Sequence, residues 1–245
     1  MEFKSQKKRI LPLILLVDTS GSMDSCINEL NTAAKEMVEE LAKQESLRAE
    51  IHISIITFGG NSAKLHLPLL PISEVKLENF NASGMTPLGG ALKIAKEIIE
   101  DRNQITSDSY RPMVILMSDG APNDAWEEPL RSFIEDGRSK KCERLSLGIG
   151  TGYIYEILEN FSSNKKVFEA KDAKNIVEFF KFVTMTVKEK SISNNPNKSP
   201  EKDIFETLLK RKFDSDDKNI IKKVCPEKEN NKDFSLDEIN ELLNF

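Results

Sequence analysis

Apolar residues along this chain fall into two alternating rhythms, and the alternation predicts the architecture. Leu13–Val17 is unbroken apolar sequence, stopped by Asp18 and a loop carrying Ser20, Gly21 and Ser22. An apolar run of about 4–8 residues bounded by turn signals suits a strand buried on both faces. Ile27, Leu30, Ala34, Met37, Val38 and Leu41 then recur at helical spacing through Gln44, which gives one core-facing stripe. Ile51–Phe58 returns to a strand pattern, with His52 and Ser54 alternating with isoleucines. Gly59, Gly60 and Asn61 make a turn into a second strand, Leu65–Leu70. So short a turn forces an antiparallel pair, because a parallel partner needs a crossover of about a dozen residues or more. Pro68 marks that strand as an edge.

The two rhythms continue downstream. The glycine-bearing loop Asn81–Gly90 leads into a helix with apolar positions Leu88, Ala91, Leu92, Ala95, Ile98 and Ile99. Pro112–Met117 is another central-type strand, ending at Ser118, Asp119 and Gly120. A helix over Asp124–Asp136 must place Pro129 in its first turn or kink there. Strand Arg144–Ile149, helix Tyr153–Phe161, short strand Lys166–Phe168 and helix Ala173–Lys188 follow. Strands alternating with helices predict an α/β fold: a doubly wound, Rossmann-like, mostly parallel central sheet with one antiparallel edge strand, flanked by helices.

Composition changes mark the boundaries. Residues 1–10 form a basic tail with Lys4, Lys7, Lys8 and Arg9, and 11–190 form the α/β domain. The Ser-, Asn- and Pro-rich stretch 191–200 reads as a linker to a helical extension over 201–245. The last segment, Phe234–Phe245, opens with a capping box at Ser235 and Glu238 and a staple of Phe234 on Ile239. The basic tail before Ile10–Val17 imitates a secretory signal, but the apolar run is short, ends in Asp18 and lacks a small-residue cleavage pattern. No run reaches the roughly 18 apolar residues of a transmembrane helix.

The 245 residues, 39% hydrophobic and 31% charged, fit a globular protein with room for a full core. A net charge of −5 gives no electrostatic footprint for nucleic acid. Cys26, Cys142 and Cys225 are far apart with no CxxC, which argues against a disulfide framework or zinc ribbon and for a reducing, cytoplasmic setting. His52 and His66 stand alone on strands. Gly148, Gly150 and Gly152 imitate part of a dinucleotide loop, but they follow a late strand and the full GxGxxG is missing.

The chemistry gathers in three pieces: Asp18-x-Ser20-x-Ser22, Thr86 and Asp119. Two of them end apolar strands, which is where open α/β sheets bind ligands. Oxygen donors without nearby sulfur or imidazole suit a hard cation, Mg²⁺ or Mn²⁺ before Zn²⁺. The first piece alone would equally serve as a polar turn capping the next helix, whose start reads at Asp24 and Ser25. Two function classes fit: a metal-dependent protein-binding module, and a Mg²⁺-dependent phosphohydrolase built on strand-end aspartates. Against the second, Ser20 stands where a second carboxylate would be needed, and no Lys or Arg sits beside Asp119.

The DTSGSM of Asp18–Met23, the GMTPLGGAL of Gly84–Leu92 and the SDG of Ser118–Gly120 together resemble the von Willebrand factor A domain and its metal-ion-dependent adhesion site, or MIDAS. The resemblance runs from about Leu11 to Val187 and includes the GIG of Gly148–Gly150. It implies Ser20, Ser22 and Thr86 as direct metal ligands, with Asp18 and Asp119 orienting bound waters. It implies a non-enzymatic module in which an Asp or Glu from a protein partner completes the metal shell. Gly21, Met23, Gly84, Met85, Pro87 and Trp126 are the expected rim for that partner. Movement of the last helix, Ala173–Lys188, is implied to be linked to ligand binding. The wording is most similar to bacterial stand-alone members of the tellurium-resistance TerY type. That similarity implies a stress-response setting, a kinase or metal-dependent protein phosphatase as partner, and no membrane.

Overall fold

The computed structural model describes residues 8–43 and 48–197. The extension read over 201–245, with Cys225 and the Phe234–Phe245 helix, lies outside the described residues, as does the basic tail up to Lys7.

Six strands form one sheet: β1 (Arg9–Asp18), β2 (Ala49–Gly59), β3 (Ser62–Pro71), β4 (Met113–Ser118), β5 (Glu143–Ile149) and β6 (Phe168–Ala170). Their order is β3-β2-β1-β4-β5-β6. All pairs are parallel except β2 with β3, so the turn at Gly59–Asn61 produces the antiparallel edge that its length required. Ser54 inside β2 is satisfied by donating its hydroxyl to the Leu67 carbonyl at 2.9 Å. Among the described residues, five helices cover the faces: α1 (Ile27–Ala42), α2 (Leu88–Glu100), α3 (Glu127–Glu135), α4 (Tyr155–Phe161) and α5 (Ala173–Ile192).

The unbroken apolar run of β1 is explained by burial on both sides. Leu11, Leu13, Leu15 and Val17 point into a layer shared with α1 and α5. Ile14 and Leu16 point the other way, into a layer with α2, α3 and α4. Strand side chains alternate by two, so a strand between two helical layers has no polar face to show. Each fully buried Leu or Ile contributes about 1.5–3 kcal/mol of transfer free energy. These layers hold the strand ends, and so the site, in fixed register.

Several boundaries differ from the sequence reading, each for a tertiary reason. The strand begins at Arg9, inside the expected tail, where it pairs with Ala49. A 3-10 turn over Gly21–Ser25 takes in Asp24 and Ser25, and α1 starts only at Ile27. Pro129 does lie in the first turn of α3, but that helix begins at Glu127 rather than Asp124. The helix α4 opens at Tyr155, leaving the Tyr153 ring packed against Gly148. The last strand falls two residues later than expected, on Phe168–Ala170. Helix α5 runs four residues past Lys188, because Lys190 is buried and pairs with Glu143 at 2.6 Å. Among the described residues no helix is long and apolar enough to cross a membrane.

Candidate metal centre

Strands β1 and β4 are neighbours, with Val17 opposite Met117, so Asp18 and Ser118 emerge side by side. The β1–β4 junction is where the chain order reverses, with β2 and β3 to one side and β5 and β6 to the other. At such a switch point the loops diverge and leave a crevice.

Asp18 is fully buried, which is expensive for a carboxylate unless its oxygens are matched. They are matched here: Oδ1 accepts from the Ser20 backbone N–H at 2.9 Å, and Oδ2 accepts from the Ser118 hydroxyl at 2.6 Å. Asp119 is half-buried, and its Oδ1 accepts from Ser22 Oγ at 2.8 Å and from Ser20 Oγ at 3.5 Å. The two serine hydroxyls lie 3.1 Å apart. Thr86 is buried nearby, and a methyl-sized atom added to Gly120 would lie 3.9 Å from both Ser22 Oγ and Thr86 Oγ1. Thus the five residues singled out by sequence, Asp18, Ser20, Ser22, Thr86 and Asp119, meet at one place.

Three loops are laced together by main chain to achieve this. Gly21 N–H donates to Gly84 O at 3.0 Å, Thr19 N–H to Phe58 O at 3.0 Å, Ser83 N–H to Thr19 O at 2.8 Å and Met85 N–H to Gly60 O at 2.9 Å. Gly60 and Gly84 form a bridge so close that a Cβ on Gly84 would lie 2.6 Å from the Gly60 Cα, and Gly84 has φ +63°. Only glycine accepts that backbone cheaply.

Two supporting residues were not legible as such. Asn123 accepts the Thr86 N–H at 2.9 Å through Oδ1, which fixes the loop presenting the threonine. Asp124, expected in the following helix, instead spreads its carboxylate over Gly89 N–H and Gly90 N–H at 3.0 Å each. It caps α2 from another loop, since Pro87 at the helix start offers no side-chain cap. An Asn-Asp pair after Pro122 is a turn signal in sequence; nothing there tells which helix it serves.

The expected rim divides. Gly21, Gly84 and Met85 are exposed, Met85 by 55%. Met23, at 0% exposure, belongs to the core beneath the loop, and Pro87 is buried at the helix start, so neither offers a partner surface. Trp126 is half-buried and packs on the α2–α3–α4 apolar layer. A cavity of about 390 Å³ opens beside Ser22 and Asp119, walled by Cys26, Gly150, Gly152 and Lys171. Gly152 is forced there by contact, because a Cβ would stand 2.7 Å from the Asp119 carbonyl. Burial pushes the Cys26 thiol up to about 11, with the charge of Asp119 adding to it.

Burial also raises the pKa of Asp18 and of Asp119 above the ordinary carboxylate range, against the lowering effect of the serine donors. The ion pairs of the described residues include neither carboxylate. No three His, Cys, Asp or Glu side chains gather as a metal cage among the described residues. The donors here are two carboxylates and three hydroxyls, a hard oxygen set. Two desolvated carboxylates without a basic partner fit a cation, and the hydroxyls supply neutral oxygens for it.

Residues 13–182 match the family model of the von Willebrand factor type A domain. The chain belongs to this family. Its members are metal-dependent protein-interaction modules and generally not enzymes. Among solved structures it is similar to proximal thread matrix protein 1 from the mussel byssus with a zinc-occupied MIDAS motif, at 20% identity and TM-score 0.56, covering 72% of this chain and 48% of that one. It is similar to a von Willebrand factor type A protein from Catenulispora acidiphila, at 19% identity and TM-score 0.54, covering 73% and 42%. It is also similar to the pilus adhesin SpaC from Lactobacillus rhamnosus GG, at 15% identity and TM-score 0.61, covering 76% and 31%. At these identities the likeness is one of fold, and the match spans about half the length of the mussel protein. A search of curated proteins finds no match.

Proposed function

We propose that this von Willebrand A domain holds a divalent cation at an intact MIDAS and uses it to bind an acidic side chain of a partner protein. The observation that carries the reading is the meeting of Asp18 and Asp119 with the hydroxyls of Ser20, Ser22 and Thr86, where neither carboxylate has a basic partner among the described residues. Ser20, Ser22 and Thr86 would supply direct oxygens; Asp18 and Asp119 would orient waters and balance charge. When bound, the cation supplies an incompletely neutralised positive charge, and a carboxylate is the natural partner for it. Mg²⁺ or Mn²⁺ suits this hard oxygen set. Gly21, Gly84 and Met85 surround the site as an exposed platform. The similarity of the DTSGSM wording to TerY-type bacterial modules supports a further reading of the chain as one of that type. On that reading the chain is cytoplasmic, and its partner is a kinase or metal-dependent protein phosphatase of a stress-response assembly.

The test is capture of partners from extract by the full chain with Mg²⁺, with EDTA, and with Ser20→Ala/Ser22→Ala. Partners held only with Mg²⁺ and intact serines are expected. Partners indifferent to all three conditions would remove the site from the interface. Phosphatase assays with Mg²⁺ and Mn²⁺ are expected to show no turnover; activity abolished by Asp18→Ala would establish the phosphohydrolase instead.

A further inference from the structure

At the opposite end of the sheet the structure holds a feature the metal centre does not use. A cavity of about 720 Å³ opens below the amino ends of β4 and β5. Its wall includes Arg102, Arg111, Arg138, Lys140, Lys141 and Arg144, and no Asp or Glu is among its lining residues. Six cations around one hollow stand out in a chain whose net charge is −5.

The cavity is built, not a chance meeting of flexible side chains. Arg144 is half-buried and clamped by main-chain oxygens: Nε donates to Phe161 O at 2.8 Å, and Nη1 to Lys140 O at 3.1 Å and Cys142 O at 3.2 Å. These bonds leave Nη2 without one among the described residues. Arg138, also half-buried, donates from Nη1 to Ile99 O at 2.8 Å and from Nη2 to Thr106 O at 3.3 Å. Both guanidinium groups are therefore positioned by neutral carbonyls, which fix their direction, and the ion pairs of the described residues include neither of them; the Glu100 carboxylate nearby accepts the backbone N–H of Arg138 at 2.6 Å and of Ser139 at 3.2 Å. Burial lowers the pKa of Arg144, as expected where no carboxylate offsets desolvation. Arg102, Arg111, Lys140 and Lys141 are exposed around these two.

Fixed planar guanidinium groups match the geometry of phosphate oxygens, and lysines add mobile charge around them. The volume lies within the range of about 300–1,000 Å³ of small-molecule sites. Six positive charges exceed what a single phosphate balances. We propose that this cavity binds a compact ligand carrying two or more phosphoryl groups, at a site separate from the metal centre.

The test is titration calorimetry on the full chain in EDTA, so that no metal-bound phosphate contributes, with inorganic triphosphate as probe. Saturable binding is expected, with orthophosphate roughly tenfold weaker or more, because fewer charges are matched. Lys140→Glu/Lys141→Glu is expected to weaken triphosphate by about tenfold or more. That variant keeps its fold, because both side chains are exposed and Arg144 uses the main-chain oxygen of Lys140. Ser20→Ala/Ser22→Ala is expected to bind triphosphate as the parent does. A second arm with ATP distinguishes sources: tighter binding than triphosphate identifies a nucleotide, and equal binding an inorganic polyphosphate. The proposal is overturned if millimolar triphosphate gives no saturable heat, if the Lys→Glu pair binds equally well, or if a short oligonucleotide or a polyglutamate peptide outcompetes triphosphate.

Discussion

The two ends of this sheet carry opposite charge by opposite means. At the carboxyl ends of β1 and β4, two carboxylates and three hydroxyls are held by short side chains whose backbone is itself laced by hydrogen bonds. At the amino ends of β4 and β5, six long cationic side chains converge from two stretches of chain, 102–111 and 138–144, and two are steered by carbonyl oxygens. A short side chain can be placed only by placing its backbone, so the first cluster demands particular residues at particular spacings. A long side chain reaches its place from many backbone positions, so the second cluster obeys no strict spacing, even though four of its cations fall within residues 138–144. The difference explains why one end reads as a motif and the other only as a local run of basic residues.

Undoing the main-chain lacing damages the carboxylate end most. A Cβ on Gly59 would lie 2.2 Å from the Thr19 carbonyl oxygen, which no side-chain rotation relieves. Gly59→Ala is expected to cost about 3 kcal/mol in chemical denaturation and to abolish metal dependence, while leaving triphosphate binding to the surviving folded chain. Next comes the metal itself. With free Mg²⁺ or Mn²⁺ a hundredfold above its dissociation constant, thermal unfolding is expected to show about 2.7 kcal/mol of added stability, and none in Ser20→Ala/Ser22→Ala. Equal stabilisation of both would place the cation elsewhere.

Ser118→Ala probes the carboxylate end from inside. It removes the donor at 2.6 Å from the buried Asp18 and is expected to cost about 1.5–3 kcal/mol in the metal-free chain, measured at neutral pH. The smallest effect is that of pH. Burial raises the pKa of Asp18 and Asp119 in the folded chain above their ordinary value of 3.8. Between 3.8 and the raised values the folded chain holds protons that the unfolded chain has released. The contribution of these two groups is therefore present at low pH and is lost as pH rises through that window. With metal bound the dependence turns over, since protons compete with the cation. The difference between melts in Mg²⁺ and in EDTA is expected to shrink on acidification from neutral pH, and Asp18→Asn is expected to flatten the EDTA curve.

The pattern of apolar and polar positions set the layered α/β fold, because uninterrupted apolar strands and striped helices admit few other arrangements. It also determined the antiparallel edge, through a turn too short for a crossover, and the five oxygen-bearing residues, through their spacing at strand ends. Tertiary structure decided what those residues rest on. Asn123 and Asp124 became the supports of Thr86 and α2 only once the loop after β4 folded over a helix that precedes it in sequence by some thirty-five positions, the separation of Gly89 from Asp124. Met23, expected at the rim, turned inward because its loop closes over the apolar layer of α1. Helix α5 outran its expected end because a buried Lys190 found Glu143. The basic cavity exists only where the stretches 102–111 and 138–144 meet. Local pattern fixes what depends on backbone rhythm and short reach; contacts between segments distant in sequence fix the rest, because their partners are set by packing, which no local window contains.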